Sequence, residues 1–244
     1  MQFDSTQQSK PAAPSRSVES RSADLVGHSS LSGRAYRILE EMIVTLQLQP
    51  GAVVTEGELG ARLGIGRTPL REAIQRLAVQ RLVTTLPRRG LVVSEINLTD
   101  HLGVLETRRV LDRLLAAGAA RRATPGERAH LKEYAAWMSE AARADNLAEF
   151  MRLDQEFDLL LAAAAHNHAA SNAMAPLHIH CRRFWYFYRH QGDLPRAATH
   201  HAALIEAVVE GDEGRAAEAS DVLIGYLEDF TRKALDLYLN HEKL

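Results

Sequence analysis

The chain has 244 residues, of which 46% are hydrophobic and 25% charged, and its formal net charge is −2. These proportions are typical of a globular protein, and no apolar run approaches the roughly 20 residues of a membrane-spanning helix, so we expect no membrane association. The length exceeds that of most single domains and predicts two. The single cysteine, Cys181, excludes an intrachain disulfide and favours the cytoplasm.

Residues 1–30 are rich in serine and lack the apolar segment of a secretory signal. A segment of this composition cannot bury enough apolar surface to offset the entropy of ordering it. We therefore predict a disordered tail here, and we divide the remaining chain into a DNA-binding unit at 31–97 and a helical unit at 98–240.

The first part of the 31–97 unit has the pattern of three helices. Apolar residues recur every three or four positions up to the Pro-Gly turn at 50–51, and a short extended piece follows at 53–54. A second helix is predicted at 58–63, and a third runs from Arg67 through Leu77. Because only the glycine-containing turn at 64–66 separates these two short helices, the pattern indicates a helix-turn-helix.

A basic hairpin follows the third helix. The runs at 82–85 and 91–93 favour β-strands and are separated by the segment 86–90, so we expect a hairpin, or wing, with Arg88 and Arg89 at its tip. Between residues 61 and 90, seven arginines face the single acid Glu72. They are Arg62, Arg67, Arg71, Arg76, Arg81, Arg88 and Arg89. Such a local surplus of positive charge is expected of a surface that binds phosphates.

The charge and the helices together suggest how DNA would be read. The amino end of the third helix would enter the major groove, where Arg67 and Arg71 can reach guanine edges or phosphates. The wing arginines Arg88 and Arg89 would approach the neighbouring backbone or minor groove. A solvated basic helix, or a helix-turn-helix that serves only for packing, is the alternative; the basic wing beside the helix favours double-stranded DNA.

The residues that carry this pattern resemble a known signature. The run from Gly64 to Ala73, followed by Leu82-Val83 and the segment 87–90, is similar to the DNA-binding motif of the GntR family. The resemblance implies a DNA-contacting set that consists of Arg67, Thr68, Pro69, Arg71, Arg88, Arg89 and Gly90.

Two positions differ from the family pattern. Gly66 stands where the family usually has a serine that caps the third helix, and glycine is a slightly weaker cap. Arg81 replaces the customary glycine after that helix, where a left-handed backbone would strain any other residue. Neither difference removes a residue of the DNA-contacting set.

Beyond Val93 the sequence shows no strand-like alternation and reads as helices separated by helix breakers. The fold class predicted for the whole chain is therefore mainly α, with a winged helix-turn-helix followed by an all-α bundle. The six predicted helices of the bundle are 100–122, 126–144, 146–165, 169–190, 195–210 and 213–239.

Four polar residues of the bundle fall on otherwise apolar helix faces. Arg108 shares a face with leucines and valine, Asp154 and Asp158 lie one turn apart among apolar residues, and His201 begins the stripe of the fifth bundle helix. Because buried charges are costly unless paired, these side chains predict a shared polar cavity.

The same positions extend the resemblance to the FCD-type effector domain of the FadR subfamily, which commonly holds a metal with one aspartate and three histidines and recognises organic acids. Asp154 and His201 match two of the ligands, whereas Asp158 and Leu223 occupy histidine positions. At most a weak, oxygen-rich set of Asp154, Asp158 and His201 remains for a divalent ion. We favour a metal-free site in which Arg108 binds the carboxylate of a small acid; a buried salt bridge between Arg108 and Asp154 or Asp158 is the alternative.

The sequence does not assign a specific role to the other basic residues of the bundle. Six histidines have spacings that fit no closed metal site, and we interpret them as scattered over the surface or the cavity edge: His166, His168, His178, His180, His190 and His200. Arg182 or Arg183 could supply a second effector contact, and the sequence does not decide which of the two faces inward.

Together these features predict a homodimeric, cytoplasmic and nucleoid-associated transcription regulator rather than an enzyme. We expect a repressor that a small organic acid or related metabolite releases from a palindromic operator. A DNA-binding protein without an effector is one alternative. A metal-dependent hydrolase that uses the polar cavity is another, but the sequence contains no recognisable nucleophile and base, and the basic wing would then have no role.

Overall fold

The computed structural model describes residues 30–86, 90–188 and 193–241. These ranges contain nine helices and three short strands, which confirms the mainly α class. In chain order they are α1 (Leu31–Val44), β1 (Val53–Val54), α2 (Glu56–Leu63), α3 (Arg67–Val79), β2 (Val83–Leu86), β3 (Gly90–Val93), α4 (Leu98–Arg122), α5 (Pro125–Arg143), α6 (Leu147–Ala164), α7 (His168–Tyr188), α8 (Leu194–Glu210) and α9 (Glu213–His241). None of the described helices is long and apolar enough to cross a membrane. The predicted tail lies outside the described residues, apart from Ser30, which caps α1.

The first three helices pack on a three-stranded antiparallel sheet in the order β1-β3-β2. Leu91 and Val93 alternate inward from β3 and meet buried leucines of α1 and α3 in one hydrophobic cluster. Helix α2 begins at Glu56, two residues before the predicted start. Thr55 and Glu58 form a capping box, in which each side chain binds the other's backbone N–H and so satisfies the first turn.

Three positions in this unit adopt left-handed backbone conformations that shape the motif. Gly64 ends α2 at φ 62°, and Arg81 follows α3 at φ 59°, as the family comparison of that position implied. Gly90 opens β3 at φ 100°, and a Cβ there would collide with the carbonyl oxygen of Val54. The wing therefore requires glycine at its base. Its tip, residues 87–89, lies outside the described residues.

Helices α4 to α9 form the bundle, and no strand follows Val93 in the described ranges. The predicted ends are displaced by one or two residues at most places because capping side chains set them. Asn97, for example, accepts hydrogen bonds from Thr99 N and Asp100 N and starts α4 at Leu98. The core is dominated by fully buried phenylalanines and leucines, each of which contributes about 1.5–3 kcal/mol on burial: Phe150, Phe157, Phe184, Leu105 and Leu115.

Helix α7 belongs to the bundle and also packs on the N-terminal unit. Its Ile179 is buried in the hydrophobic cluster of α1 and α3. Nearby, His180 Nε2 lies 2.9 Å from the carbonyl oxygen of Gln80, and Arg183 donates to the carbonyl oxygen of Ser94. One helix thus carries contacts to both parts of the molecule.

Candidate functional site

The amino end of α3 presents the DNA-contacting residues predicted from the sequence. Arg67, Thr68 and Arg71 are exposed and Pro69 is half-buried, while the opposite face of the helix is buried in the core. The cap residue Gly66 makes no side-chain hydrogen bond, so the positive end of the helix faces solvent without a competing side-chain oxygen. An exposed helix amino end with two arginines is suited to bind phosphate.

Arg71 is oriented by helix α2. Its Nε donates to Glu56 Oε2 at 2.7 Å, and the two side chains remain 62% and 37% exposed. An ion pair this exposed contributes about 0–1 kcal/mol at most, so the guanidinium can exchange Glu56 for a nucleic acid at little cost. Arg88 and Arg89 of the predicted set lie outside the described residues, and Gly90 is located at the base of the wing.

The second site is the predicted polar cavity of the bundle. Arg108 of α4, Asp154 and Asp158 of α6 and His201 of α8 line one cavity of about 30 Å³. The structure therefore brings together all four side chains proposed from the sequence. The volume is enough for a single water or ion but not for an organic acid, so a larger ligand requires the surrounding side chains to move.

Arg108 is already paired in this conformation. Its Nε donates to Asp112 Oδ2 at 2.9 Å, and both side chains are buried. Of the two roles left open for Arg108, the structure shows the salt bridge, with Asp112 as the partner. Burial opposes ionisation of Asp112, but Arg108 and the hydrogen bond from His178 together outweigh it and hold the pKa of Asp112 below its usual range. The sequence signal for this salt bridge is the position of Asp112 one helical turn after Arg108.

His178 lines the cavity and is buried, which narrows the predicted position at the surface or the cavity edge to the cavity. It is 8% exposed, and its Nδ1 lies 3.1 Å from Asp158 Oδ2 and its Nε2 3.5 Å from Asp112 Oδ1. It thus stands between two carboxylates of different helices. The sequence signal for its burial is its helical spacing from Met174, Cys181 and Trp185, which form one buried face of α7.

The remaining pair joins α6 and α8. His201 Nε2 lies 3.0 Å from Asp154 Oδ1, and Nδ1 of the same ring lies 2.8 Å from the carbonyl oxygen of Ala197. Burial lowers the pKa of His201, but the hydrogen bond and charge of Asp154, together with the hydrogen bond to Ala197, outweigh burial and raise it overall. Asp158 differs: burial, with Asp154 nearby, raises its pKa to about 6.

This donor set does not fit a metal ion as it stands. Asp154 and His201 bind each other, and Leu223 lines the wall where a further donor would be needed. In the described part of the chain, no group of three or more histidine, cysteine or acidic side chains is arranged to hold a metal. The metal-free site remains a prediction.

The structure also separates the two adjacent arginines of α7. Both are buried, but Arg182 lines the cavity and Arg183 contacts the segment after β3. The Nη2 of Arg182 also lies 3.5 Å from Glu40 Oε1 of α1, so one side chain touches the cavity and the N-terminal unit. Of the other histidines, His166, His168 and His200 do not line the cavity, His180 contacts Gln80, and His190 lies outside the described residues.

A helix-turn-helix with a β-hairpin and an exposed basic helix end, joined to a helical bundle around a polar cavity, defines a winged helix-turn-helix regulator. Residues 31–93 match the family model described as bacterial regulatory proteins, gntR family, and residues 103–225 match the FCD domain. The chain therefore belongs to the GntR family of transcriptional regulators and carries an FCD domain.

Two curated relatives illustrate the family. The Nta operon transcriptional regulator of Aminobacter aminovorans is 31% identical over 126 residues, which cover 52% of this chain and 60% of that protein. The HTH-type transcriptional repressor RspR of Escherichia coli K12 is 30% identical over 130 residues, covering 53% of this chain and 57% of that protein. The matched region thus spans less than two thirds of each relative.

Solved structures share the fold along nearly their whole length. Escherichia coli McbR/YncC superposes with a TM-score of 0.72 at 17% identity, covering 87% of this chain and 99% of that one. A GntR-type regulator from Rhodococcus sp. RHA1 has a TM-score of 0.65 at 23% identity, with coverage of 84% and 97%. At these identities the likeness concerns the fold alone.

Proposed function

We propose that this protein is a cytoplasmic, nucleoid-associated repressor that binds a palindromic operator as a homodimer and leaves it when a small organic acid enters the bundle cavity. The observation that carries DNA binding is the exposed amino end of α3, with Arg67 and Arg71 free of core packing. The relative RspR of Escherichia coli is named a transcriptional repressor, which supports a repressing role for this chain. The proposed boundaries remain 31–97 for DNA binding and 98–240 for effector binding and dimerisation.

In the DNA complex, Arg67 and Arg71 would bind guanine edges in the major groove, with Thr68 and Pro69 against the same groove wall. Arg88 and Arg89, held at the wing by Gly90, would bind the backbone beside it. The first pair would then determine which sequence is bound. The second pair would increase affinity for any duplex.

Effector binding would exchange one carboxylate for another. An acid that reaches Arg108 would displace Asp112, and the buried guanidinium would keep a carboxylate partner by forming charged hydrogen bonds to the ligand. Since the cavity holds only about 30 Å³, this exchange requires the surrounding helices to move apart. Effector binding would therefore be coupled to a change in how the bundle helices are arranged.

A chain of contacts leads from the cavity to the end of α3. Arg182 in the cavity wall approaches Glu40, and one turn away on α1 the hydroxyl of Tyr36 donates to Gln80 Oε1 at 2.7 Å. Gln80 is the residue that ends α3. Movement of α7 would therefore act on the DNA-reading helix through α1, which gives the effector a physical route to the operator.

The proposed dimer surface lies on α4 and α9. Val110, Leu114 and Val222 are 68%, 48% and 55% exposed on these two helices, which pack against each other. Large apolar side chains that remain exposed on neighbouring elements favour an interface. A dimer would present two α3 helices to a two-fold symmetric site, because one helix reads only a few base pairs.

DNA binding is tested by fluorescence anisotropy with a duplex from the regulator's own upstream region. Arg67→Ala and Arg71→Ala should each weaken binding about 5- to 150-fold, as the loss of a bidentate contact worth about 1–3 kcal/mol would. Arg143→Ala, an exposed arginine of α5, is the control. For Arg88→Ala and Arg89→Ala, affinity should fall on every sequence and the salt dependence should flatten. Wild-type affinity in all four variants would contradict the proposed surface.

The effector site is tested with a panel of small carboxylic acids added to the operator complex. Arg108→Ala should keep operator affinity and lose the response, whereas Asp112→Asn should respond at lower acid concentration because Arg108 no longer has a competing carboxylate. A purely structural salt bridge would make both variants lose the response. If none of the acids released the wild-type protein from DNA, the result would support the alternative of a DNA-binding protein without an effector. Stoichiometric zinc in protein purified without added metal, with a normal response from Arg108→Ala, would contradict the metal-free site.

A further inference from the structure

A second cavity lies where the N-terminal unit meets the bundle. Its volume is about 570 Å³, within the range of roughly 300–1,000 Å³ that small-molecule sites occupy. It is lined by Arg81 after α3, by the segment that joins β3 to α4, and by α4 and α7. No residue of its lining belongs to the bundle cavity, so the two are separate places in the molecule.

The inner wall of this junction cavity contains a buried cation. Arg183 is 2% exposed, it donates to the carbonyl oxygen of Ser94, and its Nε has no hydrogen-bond partner among the described residues. It forms no ion pair with any described carboxylate. Burial lowers the pKa of Arg183 to about 10, partly offset by Glu95, so the side chain is still charged at neutral pH. Buried arginines usually have an anionic partner, and this one lacks it.

The surroundings of Arg183 favour an anion over a cation. The cavity is bordered by the amino end of the 25-residue helix α4, which contributes positive potential. His101 is kept neutral because burial and the charge of Arg108 lower its pKa to about 3, and burial also lowers the pKa of His180. The carboxylates of Glu95 and Asp100 are exposed at the rim, where solvent screens them.

The rest of the wall is apolar. Ile96, Val104 and Leu177 line the cavity beside the polar groups and offer a surface for a carbon skeleton. We propose that the junction cavity binds a small organic carboxylate with an apolar skeleton, its carboxylate at Arg183 and its skeleton against these three side chains.

Such a ligand would contact both parts of the molecule at once. Arg81 and residues 94–97 come from the DNA-binding unit, whereas Arg183 and the other wall residues of α4 and α7 come from the bundle. Occupancy would therefore fix the orientation of one part relative to the other. This consequence for operator affinity rests on the proposed function, whereas the binding itself does not.

The test is isothermal titration of the full chain with benzoate, phenylacetate and hexanoate, and with the neutral amide of each acid. Arg183→Met removes the charge and keeps the length of the side chain. Gly103→Phe fills the cavity from α4, where a Cβ meets open space and disturbs no packing. Gly126→Phe on α5 is the matched control for Gly103→Phe, because a Cβ there also meets open space. Arg108→Met removes the proposed acid-binding residue of the bundle cavity.

We expect at least one acid to bind the wild type saturably and its amide to bind at least tenfold more weakly. Arg183→Met and Gly103→Phe should each weaken binding at the junction cavity at least tenfold, while Gly126→Phe should retain it. Arg108→Met should remove any binding in the bundle cavity and leave a saturable component that is lost when Gly103→Phe is added. Circular dichroism identifies any variant that fails to fold. If Arg183→Met does not fold, the effect of Gly103→Phe on acid binding decides between the outcomes. Binding of none of the acids, or binding that depends on Arg108 and not on Gly103→Phe, would overturn the proposal. The titration contains no DNA, so wild-type operator affinity in Arg67→Ala would contradict the proposed function and leave the junction site untouched.

Discussion

At the scale of single residues, the bundle cavity contains opposite charges that are paired within α4 and between α6 and α8. Arg108 is bound to Asp112, and His201 is bound to Asp154, so two buried cations each have a carboxylate. Asp158 is the residue whose ionisation the site disfavours, since burial and Asp154 raise its pKa to about 6. Its charge therefore costs stability at neutral pH.

Replacement of Asp158 by Asn tests this cost. A carboxyl whose pKa rises from 3.8 to about 6 on folding destabilises the protein fully above pH 6 and not at all below pH 4. Asp158→Asn should therefore be more stable than the wild type by up to ~3 kcal/mol at pH 8. The difference should disappear near pH 4. Urea unfolding at both pH values measures it, and a variant less stable than the wild type at pH 8 would show that the charged form is stabilised.

A second residue-scale prediction concerns backbone strain after α3. Arg81 adopts φ 59° and is exposed, so its side chain contributes little packing to offset the left-handed conformation. Arg81→Gly should raise the free energy of unfolding by about 0.5–1 kcal/mol, because glycine adopts this region without strain. Arg62→Gly, in the last turn of α2, should lower it instead. Equal effects of the two changes in denaturant titrations would contradict the strain argument.

At the scale of elements, α7 couples the two parts of the molecule. Its Ile179 is 6% exposed within the hydrophobic cluster of the DNA-binding unit, while Phe184 of the same helix is fully buried in the bundle. The helix is therefore held from both sides. Neither part can lose its packing without exposing one face of α7.

Truncation of Ile179 should weaken this coupling. Ile179→Ala removes the contact of α7 with the N-terminal cluster and should cost about 2–5 kcal/mol. We expect the heat-capacity trace to change from one unfolding transition to two, as the N-terminal unit melts first. Ile224→Ala, 1% exposed inside the bundle, should lower the melting temperature without dividing the transition. If both variants gave traces of the same shape, α7 would not couple the units.

At the scale of the whole molecule, the proposed function depends on where two copies would place their α3 helices. The exposed apolar side chains of α4 and α9 are the proposed contact between copies. The ion pairs between Arg113 and Asp221 and between Arg109 and Glu228 hold these two helices together within one copy. The surface offered to a second copy is therefore supported by packing inside the first.

Charge placed on this surface should separate the copies. Val110→Glu combined with Leu114→Glu would bury two carboxylates without partners in the dimer, which is strongly unfavourable. Light scattering should then give the mass of a monomer, and operator affinity should fall because only one half-site is bound at a time. Leu159→Glu, at a 63% exposed leucine of α6, should remain dimeric. A wild-type monomer, free and on DNA, would contradict the dimer itself.

The sequence by itself determined the mainly α class, the helix-turn-helix with its wing, and the inward direction of Arg108, Asp154, Asp158 and His201. These features depend on local rules: the period of apolar residues, the breakers between helices and the cost of a charge on an apolar face. Even so, α2 begins two residues before the predicted start, because the capping box of Thr55 and Glu58 satisfies the first turn ahead of the apolar stripe.

Only the tertiary structure decided which side chains meet. That His178 stands between Asp112 and Asp158, and that Arg183 faces a different cavity from Arg182, depend on how α4, α6 and α7 pack. The pair of Arg108 and Asp112, one turn apart on α4, is the local exception. Helical periodicity assigns a residue to a face but does not say which helix covers that face. The partner of a buried charge therefore follows from packing between distant parts of the chain.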